Sequence, residues 1–235
     1  MVKPNNCWYY EVSKCAPQYA LRHLSVAWKR CFSKVSGQPQ FKKKGRDDSF
    51  TLDGSITVGF NRIKLPRIGW VKTFEILPDN THPKSVTISR KANRWFVSFK
   101  VEREPQSTEK LVDVVGVDLG IKSLATLSTG EVFVGAKSYK KLEAKLSRLQ
   151  YLNRHKVKFS QNWKKAQLKI SQLHNRIANI RKDTLHKLTT YLAKNHSQIV
   201  IEDLNVSGMM SNHKLAKAVA DMGFYEFRRQ ARVQV

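Results

Sequence analysis

In a chain of 235 residues, 43 Lys plus Arg stand against 18 Asp plus Glu, a net charge of +25, and 41% of the residues are hydrophobic. The apolar fraction excludes a wholly disordered basic tail, and the charge makes a polyanion the expected partner, because a surface this basic repels itself and attracts phosphate. No stretch approaches the ~18 consecutive apolar residues of a membrane span, and Met1 to Tyr10 carries no apolar run long enough for a signal peptide, so neither export nor a membrane partner is expected.

The cysteines are Cys7, Cys15 and Cys31, with no Cys-x-x-Cys pair. No zinc site and no disulfide framework follow, and idle or buried thiols are expected. From Ala16 to Val35, Ala20, Leu24, Ala27 and Cys31 recur at steps of four and three beside Leu21, Trp28 and Phe32, which predicts an amphipathic helix with Pro17 in its first turn. Gln38 to Arg46 is a Pro- and Gly-bounded basic loop whose Lys42, Lys43, Lys44 and Arg46 suit a linker or phosphate contacts.

From Phe50 to Val101 the period shortens to two. Ser55–Val58, Arg62–Leu65, Val86–Ser89 and Trp95–Phe99 are expected as short strands, separated by turn signals at Asp53-Gly54, Gly59, Pro66, Gly69, Pro78-Asp79-Asn80 and Ala92-Asn93. A small antiparallel barrel or sandwich is the expected outcome. Its outward side chains, Arg62, Lys64, Arg67 and Lys72 among them, would form a positive surface, either simply solvated or in contact with nucleic acid.

Glu102 to Glu109 is polar and the most acidic stretch, so the domain boundary is expected there, with a linker over 105–111. Beyond it, Asp113 to Gly120 is a nearly continuous apolar strand, followed by Ser123–Leu127 and Glu131–Val134 across a turn at Thr129-Gly130. Tyr139, Leu142, Leu146 and Leu149 mark one helix. Trp163, Ala166, Ile170, Leu173, Ile177 and Ile180, then Leu188 and Leu192, mark a longer one, and the two together form an antiparallel helical hairpin. Between Ala136 and His196, sixteen Lys or Arg meet only Glu143 and Asp183. A solvated hairpin usually mixes both signs at i, i+4, so this bias points to a polyanion alongside, with Lys164, Lys165, Lys169, Arg176, Arg181 and Lys182 as candidate contacts.

Ser197 to Leu204 is a second short apolar strand, reached through a helical crossover and therefore expected to run parallel to the strand ending at Asp118. Both strands lead into a carboxylate near the carboxyl end, Asp118 and Glu202, at the edge where open α/β sheets place ligands. Such carboxylates are explained either by a bound cation or by pairing with one of the many basic side chains.

The strings Gly116-Val117-Asp118-Leu119-Gly120-Ile121-Lys122-Ser123-Leu124-Ala125-Thr126 and Ile199-Val200-Ile201-Glu202-Asp203-Leu204-Asn205-Val206-Ser207-Gly208-Met209 resemble the first two motifs of the RuvC-like domain of the TnpB/OrfB proteins of bacterial insertion sequences. These are relatives of type V CRISPR effectors. Further likeness lies in Pro39–Lys44, Lys64–Val71, Leu185–Leu188, Asn212–Ala216 and Phe224–Gln230, so the resemblance runs from about Ala16 to Gln230.

The resemblance implies a mixed α+β chain. A remnant of a helical recognition lobe (1–36) and a wedge-like, OB-like β-barrel that grips RNA (37–104) would precede an incomplete RNase H-like (RuvC) α/β domain (112–230) carrying the hairpin (138–195). It also implies RNA-guided, Mg²⁺-dependent cleavage of DNA, with a guide RNA from the transposon end and a target DNA as partners and a cytoplasmic, nucleoid-associated location. Asp118 would bridge metals, Glu202 would ligate one, and Asp203, facing the other side of the strand, would cap or pair locally.

The sequence departs from the family pattern at both ends: most of the recognition lobe, the next sheet strand, a four-cysteine zinc ribbon and a third acidic motif are not matched, and residues 231–235 diverge. The expectation is a truncated or frameshifted copy that binds nucleic acid and is deficient as a nuclease. A competent RNA-guided endonuclease and a nonfunctional gene fragment are the alternatives, and the oligomeric state is open.

Overall fold

A computed structural model describes residues 11–45, 48–102, 104, 110 and 112–234, with only the backbone of 233 and 234. Cys7, Arg46 and most of the expected linker lie outside the described residues. The chain divides into two compact units, one up to Glu104 and one from Pro105 onward.

The first unit begins with helix α1 (Cys15–Phe32). The helix forms where its period predicts, but the described residues leave its apolar stripe uncovered: Cys15 is its buried residue, whereas Leu21, Leu24 and Phe32 are exposed. The Cys15 thiol donates to the Asp53 carbonyl at 3.7 Å, and Ala16 packs on the core beyond.

Six strands follow: β1 (Ser49–Asp53), β2 (Thr57–Gly59), β3 (Arg62–Leu65), β4 (Gly69–Lys72), β5 (Ser85–Lys91) and β6 (Arg94–Phe99). They pair as two separate antiparallel sheets, β1-β5-β6 and β2-β3-β4, so that of the barrel or sandwich expected for this stretch the closed barrel does not form. Closure needs strands long enough to tilt and stagger around an axis, and β2 to β4 have three or four residues each. The sheets instead share one core: Leu52, Val86 and Ile88 from the first, Ile63 and Leu65 from the second, and Ile56 between. In β3 the alternation is strict, with Ile63 and Leu65 buried and Arg62 and Lys64 exposed, because successive side chains of a strand point to opposite faces.

The second unit is built on β7 (Val112–Asp118), β8 (Ala125–Leu127), β9 (Val132–Phe133) and β10 (His196–Ile201), in sheet order β10-β7-β8-β9. β7, β8 and β9 form an antiparallel meander, and β10 pairs with β7 in parallel, as its helical crossover requires.

Between β9 and β10 lie α2 (Ser138–Arg154) and the 35-residue α3 (Gln161–Asn195), whose start is capped by the Ser160 hydroxyl accepting from the Trp163 N–H at 3.2 Å. The first half of α3 packs Leu173 and Ile177 against Leu146 of α2, closing the hairpin. Its second half turns Leu185, Leu188 and Leu192 onto Val115, Val117, Ala125 and Leu127 of the sheet. Three shorter helices, α4 (Val206–Ser211), α5 (Ala216–Met222) and α6 (Phe224–Gln234), complete this core with Val219, Met222, Phe224 and Phe227. No described helix is long and apolar enough to cross a membrane.

Candidate functional site

In β7 the buried Val115 and Val117 alternate with Val114, Gly116 and Asp118, so Asp118 stands on the face away from the helical core. In β10, Ile199 and Ile201 pack on that core while Val200 is 52% exposed, and one residue on Glu202 returns to the open face. The parallel register sets Ile201 beside Val117. Continued by one residue, it sets Glu202 beside Asp118 at the carboxyl ends of both strands. Both are exposed, and among the described residues neither carboxylate has a hydrogen-bond or ion-pair partner.

Asp203, next in the chain, is tied to the Arg228 guanidinium of α6, a partner 25 residues further on and not a local one. Arg228 and Asp203, with Ile199, Ile201 and Ala231, line a cavity of about 490 Å³ along the outer edge of β10. Among the described residues no three His, Cys, Asp or Glu side chains gather as a metal cluster.

The basic candidates fall in both units. Lys42, Lys43 and Lys44 are exposed, with the Lys42 ammonium 3.4 Å from the Ser49 hydroxyl. Lys64, Arg67 and Lys72 are exposed on or beside β3 and β4. On α3, Lys164, Lys165, Lys169, Arg176 and Lys182 are exposed, while Arg181 is half-buried and donates to the Ala220 carbonyl at 2.8 Å. The hairpin's two acids are already engaged, Asp183 with Lys187 at 2.7 Å and Glu143 with Lys217 at 3.0 Å. The contact with Glu143 holds the Lys217 ammonium above its ordinary pKa.

Residues 97–213, about half of the chain, match the model of the OrfB_IS605 family, described as "Probable transposase". A protein of Escherichia coli K12 named "Putative RNA-guided DNA endonuclease InsQ" is 39% identical over 91% of this chain and 58% of its own length. A Streptomyces pristinaespiralis protein, "Putative RNA-guided DNA endonuclease", is 38% identical over 93% of this chain and 56% of its own length. The chain belongs to the TnpB/OrfB family. It spans somewhat more than half the length of these curated relatives.

In this TnpB/OrfB chain the structure also brings together groups that sequence reasoning passed over. Asp221 of α5 is 6% exposed and accepts from the backbone N–H groups of Tyr139 and Lys140, at 2.9 and 3.2 Å, and from the Ser138 hydroxyl at 3.0 Å. A carboxylate at a helix N-terminus satisfies orphan N–H donors and meets the positive end of the helix dipole, so Asp221 fixes where the hairpin leaves the sheet. On α6, Glu226 is held well below the usual carboxylate range, at about 2, by hydrogen bonds first from Arg229 and then from Gln230. Gln230, itself buried, reaches Thr189 of α3 at 3.4 Å. The Glu226 contacts are i,i+3 and i,i+4 pairs of one helix, a spacing the sequence displays, whereas the partners of Asp221 and the Gln230–Thr189 contact lie at ranges that no sequence period reveals.

Proposed function

We propose that this chain is a nucleic-acid-binding protein of an insertion sequence that follows a guide RNA onto target DNA, with Asp118 and Glu202 as the Mg²⁺-holding carboxylates of an RNase H-like (RuvC) site. One observation carries the reading: β7 and β10 run parallel with Val117 beside Ile201, and the residue that follows each is an exposed carboxylate, Asp118 and Glu202. Like charges so placed repel each other and favour a cation between them. The antiparallel meander with a parallel fourth strand beside its first member is the sheet expected of an RNase H-like core. Guide RNA and DNA come to this chain from the names of its relatives.

The residues suit Mg²⁺, a hard cation that takes one or two carboxylates and keeps several waters. When bound, it would supply activation of water and neutralisation of charge on a phosphodiester. Asp118 and Glu202 would hold and orient that cation, while Asp203 is engaged by Arg228. The exposed lysines of α3 and of β3 and β4 would follow the phosphate backbone, while base pairing supplies the sequence choice. A pair of carboxylates makes an incomplete clamp for two-metal chemistry, so this chain by itself binds nucleic acid and cuts at a rate lowered roughly a thousandfold or more, the equivalent of several kcal/mol in the transition state.

The test is cleavage of matched DNA with guide RNA and Mg²⁺, run beside Asp118→Ala and Glu202→Ala, with binding measured in parallel. Slow or no cutting with equal binding by all three proteins is expected. Efficient cutting abolished by both substitutions would instead establish the pair as a sufficient nuclease site. Binding that stays flat from low to physiological salt would remove the nucleic-acid reading altogether, since each neutralised phosphate contributes a slope of about −0.7 to −0.9 in log K against log salt.

A further inference from the structure

Residues 55–72 contain Arg62, Lys64, Arg67 and Lys72 and no acid, and they fold into the three-stranded sheet β2-β3-β4. Its register places Arg62 directly opposite Lys72, and Lys64 directly opposite Trp70. Because directly opposed residues share a face, these four side chains stand together on the face opposite Ile63 and Leu65. There the Arg62 guanidinium lies 4.6 Å from the centre of the Trp70 ring, and Trp70 is 47% exposed. Gly59 is paired with Arg62, and a Cβ at position 59 would come within 3.3 Å of the Arg62 side chain, so the missing side chain gives the arginine its room.

Two features of this face are unfavourable in water alone. Like charges directly across antiparallel strands repel, and a large indole is left half-solvated on a strand of four residues. Among the described residues, Arg62, Lys64 and Lys72 have no ion-pair partner to relieve the repulsion. A second arginine–tryptophan pair of the unit differs. Arg90, 5.9 Å from the Trp95 ring, is also 3.8 Å from Asp48 and bonded to Asn93, so its charge is already answered. The ligand that relieves both costs at Trp70 is an anion carrying a flat π-surface.

We propose that the Arg62–Trp70 pair is a stacking platform for an unpaired nucleobase of a single-stranded nucleic acid, with Lys64 and Lys72 holding the flanking phosphates. This rests on the nucleic-acid reading above and adds to it a single-strand subsite with named residues. Stacking on an aromatic or a guanidinium plane accepts any base, whereas a duplex keeps its bases inside and offers this face only phosphates.

The experiment compares binding of three probes: oligo-U, oligo-dT, each carrying one 2-aminopurine, and a mixed-sequence duplex of equal length. The proteins are the wild type, Trp70→Leu, Trp70→Phe and Lys64→Ala/Lys72→Ala, all first shown to retain the wild-type circular dichroism. Trp70→Leu is expected to weaken single-strand binding by about fivefold to a hundredfold and to release the quenching of 2-aminopurine, with duplex affinity within about twofold. Trp70→Phe keeps most of both, and the double lysine variant weakens all probes and flattens the salt slope. A preference for oligo-U over oligo-dT identifies RNA as the source of the base, and the reverse identifies DNA. Trp70→Leu binding every probe like the wild type, or losing single strand and duplex equally, overturns the platform while leaving the nucleic-acid reading intact. Wild-type protein that binds none of the probes overturns both.

Discussion

Arg62 and Lys72 face each other across β3 and β4 in the first unit, while Asp118 ends β7 and Glu202 follows the last residue of β10, the strand paired with it in parallel, in the second. The two sheets thus set the same problem with opposite signs: two like charges, exposed and without an ion-pair partner among the described residues. In the first, the charges are spread over a row with an indole among them, which fits an extended, flat-faced polyanion. In the second, two acids stand together at a strand end, which fits a compact cation. Their supports differ as well. The basic face sits on a small core of Leu52, Ile63, Leu65, Val86 and Ile88, whereas the acid pair stands at the end of strands buried against α3, α5 and α6.

The comparison can be broken hardest at the cores. Phe227 is completely buried in the second unit, so Phe227→Ala is expected to cost about 3–5 kcal/mol. If the units hold their faces independently, denaturant titration will show the second unit's transition lowered while Trp70-dependent binding of oligo-U survives in the folded range. Ile63→Ala, at 1% exposure on the core side of β3, should do the reverse at about 2–5 kcal/mol, weakening the basic face and sparing any Mg²⁺ response.

A cation should stabilise the acid pair by mass action. With Mg²⁺ at ten to a hundred times its dissociation constant, the gain is about 1.4–2.7 kcal/mol, read as a rise in melting temperature. The double variant Asp118→Asn/Glu202→Gln should lose that rise. It should also melt no lower than the wild type in chelator, since it removes a repulsion and no partner. A wild-type melting temperature indifferent to Mg²⁺ would separate the acid pair from any metal role.

The smallest effect concerns Glu226, which supports the second unit. Its folded pKa is depressed to about 2, so its contribution is present above the ordinary carboxylate value of 4.5 and is lost as pH falls toward 2. The pair with Arg229 is partly solvated, which limits the contribution to about 1 kcal/mol or less. Glu226→Gln should flatten the acid limb of the stability profile between those values and leave stability at neutral pH slightly reduced.

The elements whose pattern is local were legible in the chain. The spacing of Trp163, Ile170, Leu173, Ile177, Leu188 and Leu192 gave a helix close to the observed Gln161–Asn195, and the alternation Arg62-Ile63-Lys64-Leu65 coincides with β3. A helical or strand period is set by residues a few positions apart, and the sequence displays it directly. The strands at Ser49–Asp53 and Gly69–Lys72 went unread: in a half-exposed strand the apolar signal is weak, and β4 is exposed at three of its four positions.

The sequence by itself determined the basic charge, the two apolar strands that end in carboxylates, the helical hairpin and the parallel sense of β10, since a helical crossover admits little else. Only the tertiary structure decided that the first six strands make two open sheets and not a barrel, and that the stripe of α1 is left uncovered by the described residues. It alone joined Asp221 to the start of a helix 82 residues away, and Asp203 to Arg228. It also set Arg62 across Trp70. These outcomes depend on which surfaces meet after the chain has closed long loops. A side chain's partner at that range is chosen by shape and charge in three dimensions, and no period along the chain records it.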